Sequence, residues 1–167
     1  VRVIVPYTET HPISLSALSD LCPDAEHFDV SESDTAYAKL LERLWGEYRT
    51  FLVIEHDIEI KVEALQEAQS CLCEWSVSPY RGIMGSLVDN ALGCTRFRSS
   101  LMKRFPDAIA RANQIDDNGS ICGPGNWKRL DGRVLHILRT LGAEPHRHSE
   151  VLHHHKYAEG CACGGYH

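Results

Sequence analysis

The sequence predicts a mixed α/β domain over residues 1–167, a mostly parallel β-sheet flanked by helices. Three observations predict it. Strand-like and helical segments alternate through residues 1–73, the order from which parallel sheets are built. Phe51-Leu52-Val53-Ile54 is apolar without a break, as in a strand buried on both faces. Tyr37, Leu40, Leu41, Leu44, Trp45 and Tyr48 recur at i, i+3, i+4, i+7, i+8 and i+11, one face of an amphipathic helix.

The elements follow in order. Arg2 to Pro6 read as a buried strand, which Pro6 is expected to end because it brings no N–H to a ladder. Residues 11–20 have weak helical spacing through Ile13, Leu15 and Leu18, and residues 26–30 form a short strand. Ser31, Ser33 and Asp34 are capping residues ahead of the 37–48 helix. The apolar run at 51–54 leads into Glu55-His56-Asp57 and Ile58-Glu59-Ile60, and residues 61–73 read as a helix through Val62, Leu65, Ala68 and Leu72. The second half is less regular. Residues 82–85 and 91–94 read as short strands, and 98–105 as a helix closed by Pro106. Residues 116–125 read as a loop. Asn126 would cap a helix over 127–141, with a stripe of Trp127, Leu130, Val134, Ile137, Leu138 and Leu141 and with Gly142 as its stop.

Composition places this architecture in one soluble domain: 167 residues, 43 % hydrophobic and 24 % charged. No apolar run approaches the roughly 20 residues of a membrane helix, and no basic-then-apolar leader opens the chain, so a cytoplasmic protein is expected. The net charge of −6 is unevenly spread: residues 1–80 hold 15 acids and 5 bases, residues 81–139 hold 5 and 10. A basic second half suits an anionic partner as well as it suits an ordinary mixed surface. Seven cysteines, an odd number, read as reduced thiols. The Cys-x-Cys pairs Cys71/Cys73 and Cys161/Cys163 would form a tetrahedral structural Zn²⁺ site if they met in space; otherwise they are incidental.

Three places carry chemistry. Glu55 and Asp57 follow the most buried strand, where an unpaired carboxylate costs several kcal/mol, so they either border a site or begin a surface loop. In an extended segment both would face one ligand, and their oxygens suit Mg²⁺ or Mn²⁺. His153, His154 and His155 are the second place. Alternation puts His153 and His155 on one side, where an imidazole can complete a metal site, unless all three are simply solvated. Asp131 is the third, about 20° from Leu138 on the helical wheel, placed either for a structural pairing or for work as a general base.

Taken in this order, the segments resemble the GT-A glycosyltransferase fold (nucleotide-diphospho-sugar transferases) over residues 1–156. The resemblance implies a nucleotide-sugar-binding half at 1–80, an acceptor-binding half at 81–156 and a Cys/Gly-rich tail at 157–167. Tyr7 and Thr8, after Val3-Ile4-Val5-Pro6, would hold the nucleoside, with Asp29, Ser31 and Asp34 on base and ribose. Glu55-His56-Asp57 is similar to the D-x-D motif, with Glu55 in place of the first Asp. Asp57 matches the principal ligand of Mn²⁺ or Mg²⁺, and His153 or His155 the late metal-binding histidine. The segment 92–97 resembles the acceptor side, implying Arg96, Arg98 and Trp127 as acceptor contacts. Trp127-x-x-Leu130-Asp131 resembles the helix of the catalytic acid, with Leu130 where the family has a Glu, so Asp131 would be the base of an inverting transfer from a UDP-sugar. The chain is short for the family. Its size resembles bacteriophage glycosyltransferases, some of which modify hydroxymethylated bases. DNA is therefore a further expected partner, inside a bacterial host, with Arg81, Arg96, Arg98, Lys103 and Arg104 near its phosphates. Two rivals stand beside this expectation. One is a non-catalytic zinc-binding module. The other is a nucleotidyltransferase, although no glycine-rich phosphate loop follows the first strand.

Overall fold

The computed structural model describes residues 1–8, 12–33, 35–82, 85–89, 91–115 and 130–154. Its first half runs β1 (Arg2–Tyr7), α1 (Pro12–Leu21), β2 (Glu26–Asp29), α2 (Ala36–Gly46), β3 (Phe51–Ile54), β4 (Ile58–Glu59) and α3 (Val62–Ser70). The rest runs β5 (Trp75–Val77), β6 (Tyr80–Arg81), β7 (Leu87–Val88), β8 (Cys94–Phe97), α4 (Ser99–Arg104), α5 (Ala108–Ala112), α6 (Leu130–Thr140), β9 (His146–Arg147) and β10 (Leu152–His153).

Six strands form the main sheet in the order β2-β1-β3-β8-β5-β9. β1 is parallel to β2 and β3, and β5 is parallel to β9, while β8 is antiparallel to both of its neighbours. Five strands thus run one way and β8 alone runs against them, which makes the sheet mostly parallel, as expected. Two small antiparallel pairs, β10-β4 and β6-β7, lie outside it.

Alternation along the strands builds two cores. Ile4, Phe51, Val53, Trp75, Val77 and Phe97 face α2, α4, α5 and α6, where Leu41, Leu44, Trp45, Leu101, Ile109, Val134 and Leu138 complete one cluster. Val3, Val5, Leu52, Ile54 and Cys94 face the other way, onto Leu18 of α1 and Ala64, Leu65 and Ala68 of α3. β3 serves both cores, which explains its unbroken apolar run: all four of its residues are buried. The α2 stripe is buried from Tyr37 to Trp45, whereas Tyr48, past the end of the helix, is exposed and has a positive φ. Phe97 is the hub of the first core, with ring centroids 5.3 Å from Trp45, 5.6 Å from Phe51 and 6.2 Å from Trp75.

Several expectations need correcting. β1 does not stop at Pro6, which pairs with Phe28. The Tyr7 carbonyl accepts from Val30 N on the β2 side, so the donor that Pro6 lacks would have pointed toward β3, beyond the last β1–β3 pair at Ile4 and Val53. The proline therefore removes no ladder bond. The strand expected at 91–94 lies instead at β8; of the strand expected at 82–85, residues 83 and 84 lie outside the described residues, with β6 and β7 on either side; β5 and α5 carried no sequence signal. The 127–141 helix is described from Leu130, and Gly142 follows it with φ of 80°. Trp127 and the loop at 116–125 lie outside the described residues. Among the described residues no helix is long and apolar enough to cross a membrane.

Candidate active site

Because β1, β2 and β3 are parallel, their carboxyl ends share one edge, the edge at which α/β sheets bind ligands. Tyr7 and Thr8 leave β1 there, and Asp29 leaves β2. Asp29 caps its own turn: its Oδ1 accepts from Ser31 N at 2.8 Å and from Ser31 Oγ at 2.6 Å, which hold its pKa below the usual carboxylate value. Asp34 lies outside the described residues.

Glu55-His56-Asp57 leaves β3 as a tight turn, not as the extended segment expected. Ile58 N donates to the Glu55 carbonyl at 3.0 Å, and Glu55 N donates to the Gly93 carbonyl at 2.8 Å. The turn still keeps the two acids close enough for one to act on the other: burial first, then the charge of Asp57, pushes Glu55 up to about 8. Tyr37, buried at the start of α2, donates its hydroxyl to Glu55 Oε1 at 2.9 Å. Beyond the turn, β4 pairs with β10, and His154 N donates to the Asp57 carbonyl at 2.8 Å.

That pairing carries His153 to the acids. Its Nε2 lies 2.9 Å from Asp57 Oδ2 across 96 residues of sequence. His154 points the other way, to Glu59 Oε2 at 2.9 Å, so the two imidazoles separate as alternation requires. His155 lies outside the described residues. Burial pushes the Asp57 carboxyl up, but the hydrogen bond from His153 and the nearby charges of His153 and His56 outweigh it, and the net shift is downward. The Tyr80 ring stacks on His153 at 4.5 Å between centroids. Gly93 makes that stack possible: a Cβ there would lie 2.8 Å from Tyr80 Cε1 and 3.1 Å from Ile58 Cδ1.

Asp131, in the first turn of α6, faces the same place. Its charge is felt by Tyr37, Glu55 and Tyr80. Burial raises its own pKa, against the opposing effect of the Gly132 amide, which donates to Oδ1 at 2.8 Å. Glu55, Asp57, Asp131 and His153 are thus gathered from β3, α6 and β10. Tyr37, Tyr80 and Gly93 join them without having been anticipated. Tyr37 was visible only as an apolar position of its helix.

Arg96 and Arg98 are not brought to this edge. Arg96 is buried in β8 opposite Leu52, and its Nη1 donates to the Cys73 carbonyl at 3.4 Å. Arg98 donates to the Leu72 carbonyl. Both line a cleft of about 760 Å³ with Arg2 and Arg49, beside Phe51's end of β3 and away from Glu55.

The carboxylate–imidazole pair fits a divalent cation. Two neighbouring ligands of an octahedral ion with bonds of ~2.1 Å sit about 3 Å apart, close to the 2.9 Å between Asp57 and His153. Asp57 Oδ1 is buried and accepts no hydrogen bond among the described residues. An oxygen left so costs about 1–3 kcal/mol, which a cation would offset. Compared with known proteins, the chain matches no family model, no curated protein and no solved structure.

Proposed function

We propose that this protein is a metal-dependent glycosyltransferase of GT-A type, transferring a sugar from a nucleoside diphosphate sugar to an acceptor hydroxyl. One observation carries the reading. The contact of Asp57 with His153 sets a carboxylate–imidazole pair, a donor set that suits a divalent cation, at the carboxyl edge of parallel strands, beside two further acids of raised pKa.

Asp57 and His153 would hold Mn²⁺ or Mg²⁺, which supplies neutralisation of the charge that builds on a departing diphosphate. Tyr7, Thr8 and Asp29 lie where the nucleoside would rest, at the ends of β1 and β2. Glu55, neutral below about pH 8, would donate a hydrogen bond to the sugar while it accepts one from Tyr37. Asp131 would serve as general base. The acceptor oxygen bonds to the anomeric carbon, the bond from that carbon to the diphosphate breaks with its electron pair leaving on the phosphate oxygen, and the acceptor proton passes to Asp131. Attack opposite the leaving group inverts the anomeric centre. With Arg96 and Arg98 at the other end of β8, the reading requires a hydroxyl acceptor and gives no preference to DNA.

Thermal midpoints with UDP, GDP and CDP, each with and without Mn²⁺, test the reading. Stabilisation of about 2.7 kcal/mol is expected at a hundredfold excess over Kd, for one nucleotide and only with metal. Asp57→Ala should abolish that shift together with transfer, and full transfer by this variant would sink the proposal. Asp131→Asn should bind the nucleotide normally and turn over roughly 10²–10⁴-fold more slowly.

A further inference from the structure

We propose a second metal centre, a structural zinc site formed by Cys71, Cys73, His146 and His148, independent of the transferase site. The ligand atoms of Cys71, His146 and His148 all lie within 4.8 Å of one another. Cys73 would supply the fourth ligand by turning its exposed side chain in: its thiol lies outside that group of three, but its backbone N donates to Cys71 Sγ at 3.4 Å and its thiol lies within hydrogen-bonding reach of the Cys71 thiol.

Each pair is held by its own element. Cys71 ends α3, its N donating to the Glu67 carbonyl at 3.1 Å. His146 opens β9 and pairs with Ser76 of β5, while His148 N donates to the Val77 carbonyl at 2.9 Å. Residues two apart on an extended segment project to one side, and the two imidazole rings accordingly sit 4.9 Å apart. Glu67 ties the segment down, accepting from Ser149 N at 3.1 Å and from Ser149 Oγ at 3.0 Å. The backbone thus presents Cys71, His146 and His148 to one point before any ion arrives.

His148 Nε2 is buried and has no hydrogen-bond partner among the described residues. A ring nitrogen in that state is costly unless something takes its lone pair or its proton. Two thiolates and two neutral imidazoles are a donor set for Zn²⁺, with bonds of about 2.3 Å to sulfur and about 2.0 Å to nitrogen. Tetrahedral angles place such ligands about 3.3–3.8 Å apart. For Cys71, His146 and His148 a closure of at most about 1.5 Å is needed, within reach of side-chain torsions. The other described cysteines offer no such partner: Cys22 and Cys94 are buried in the second core.

The site would clip the end of α3 to the edge strand β9. It would use the Cys71/Cys73 pair with two histidines in place of Cys161 and Cys163, which lie outside the described residues. The Cys pair precedes β5, at the amino edge of the sheet, while the Glu55–Asp57 turn leaves the carboxyl edge. The two centres therefore differ in place and in ligand softness.

The test uses the full chain without an affinity tag, purified under reducing conditions. Metal analysis should find stoichiometric zinc that survives dialysis, and X-ray absorption on the wild-type protein should show a mixed shell of two sulfurs and two nitrogens. Cys71→Ser and His146→Asn should each lose the zinc and lower the thermal midpoint. No retained zinc, a shell of four sulfurs, or unchanged zinc in both variants would each overturn the assignment. Because Mn²⁺-dependent nucleotide binding is read separately, failure here leaves the transferase reading standing, and the reverse also holds.

Discussion

Glu55 shows how a single carboxyl couples the candidate site to stability. Its pKa is raised from 4.5 to about 8, by burial first and then by the charge of Asp57. The folded chain therefore keeps a proton that the unfolded chain has released. Stability from this group is complete below about pH 4.5 and is lost as the pH climbs to about 8. Asp131, also raised by burial, adds in the same direction. In chelator, Glu55→Gln should flatten the slope and gain ~1–3 kcal/mol at alkaline pH. Urea midpoints of both proteins, taken on either side of this window, check it, and parallel losses would refute the coupling. Mn²⁺ should shrink the wild-type slope, since a cation favours the ionised carboxylate.

Elements divide into those that carry packing and those that place the site. Phe97 of β8 touches three aromatic rings in a fully buried position. Phe97→Ala should cost about 3–5 kcal/mol, measured by denaturant unfolding. The loop before β8 does different work. Gly93→Ala drives a methyl into Tyr80 and Ile58, and its own carbonyl anchors Glu55. Its stability cost should be about 1–3 kcal/mol, yet metal-dependent nucleotide binding should fall with it, because Tyr80 must leave His153. Retained binding in this variant would show that the stack is incidental. These elements also mark what was legible in the sequence. α2 and β3 announce themselves, one by a stripe of period 3.6 and the other by an unbroken apolar run. β5 and β9 do not: three residues, or two, are too few for any period to show.

At the scale of the whole molecule, the strand order turns a scattered set of residues into a site. Glu55, Asp57, Asp131 and His153 could be picked out singly, because acids and imidazoles beside apolar runs need a reason. Their meeting was implied only by the family resemblance and could not be read from spacing or periodicity, since it depends on β10 pairing with β4 outside the main sheet. Tyr37 and Gly93 stayed hidden for the same reason, as did the partnership of Cys71 with His146 and His148, which needs β9 beside β5. That late pairing also sets a timetable. A chain emerging from the ribosome folds from its amino end, and it can close β2, β1, β3 and β8 long before residues 146–153 appear. Until they do, Asp57 has no imidazole opposite it and β5 remains a bare edge. A chain made only as far as β8 can thus own most of its main sheet while Asp57 and His153 are still apart, so the candidate site is the last part of the molecule to be assembled.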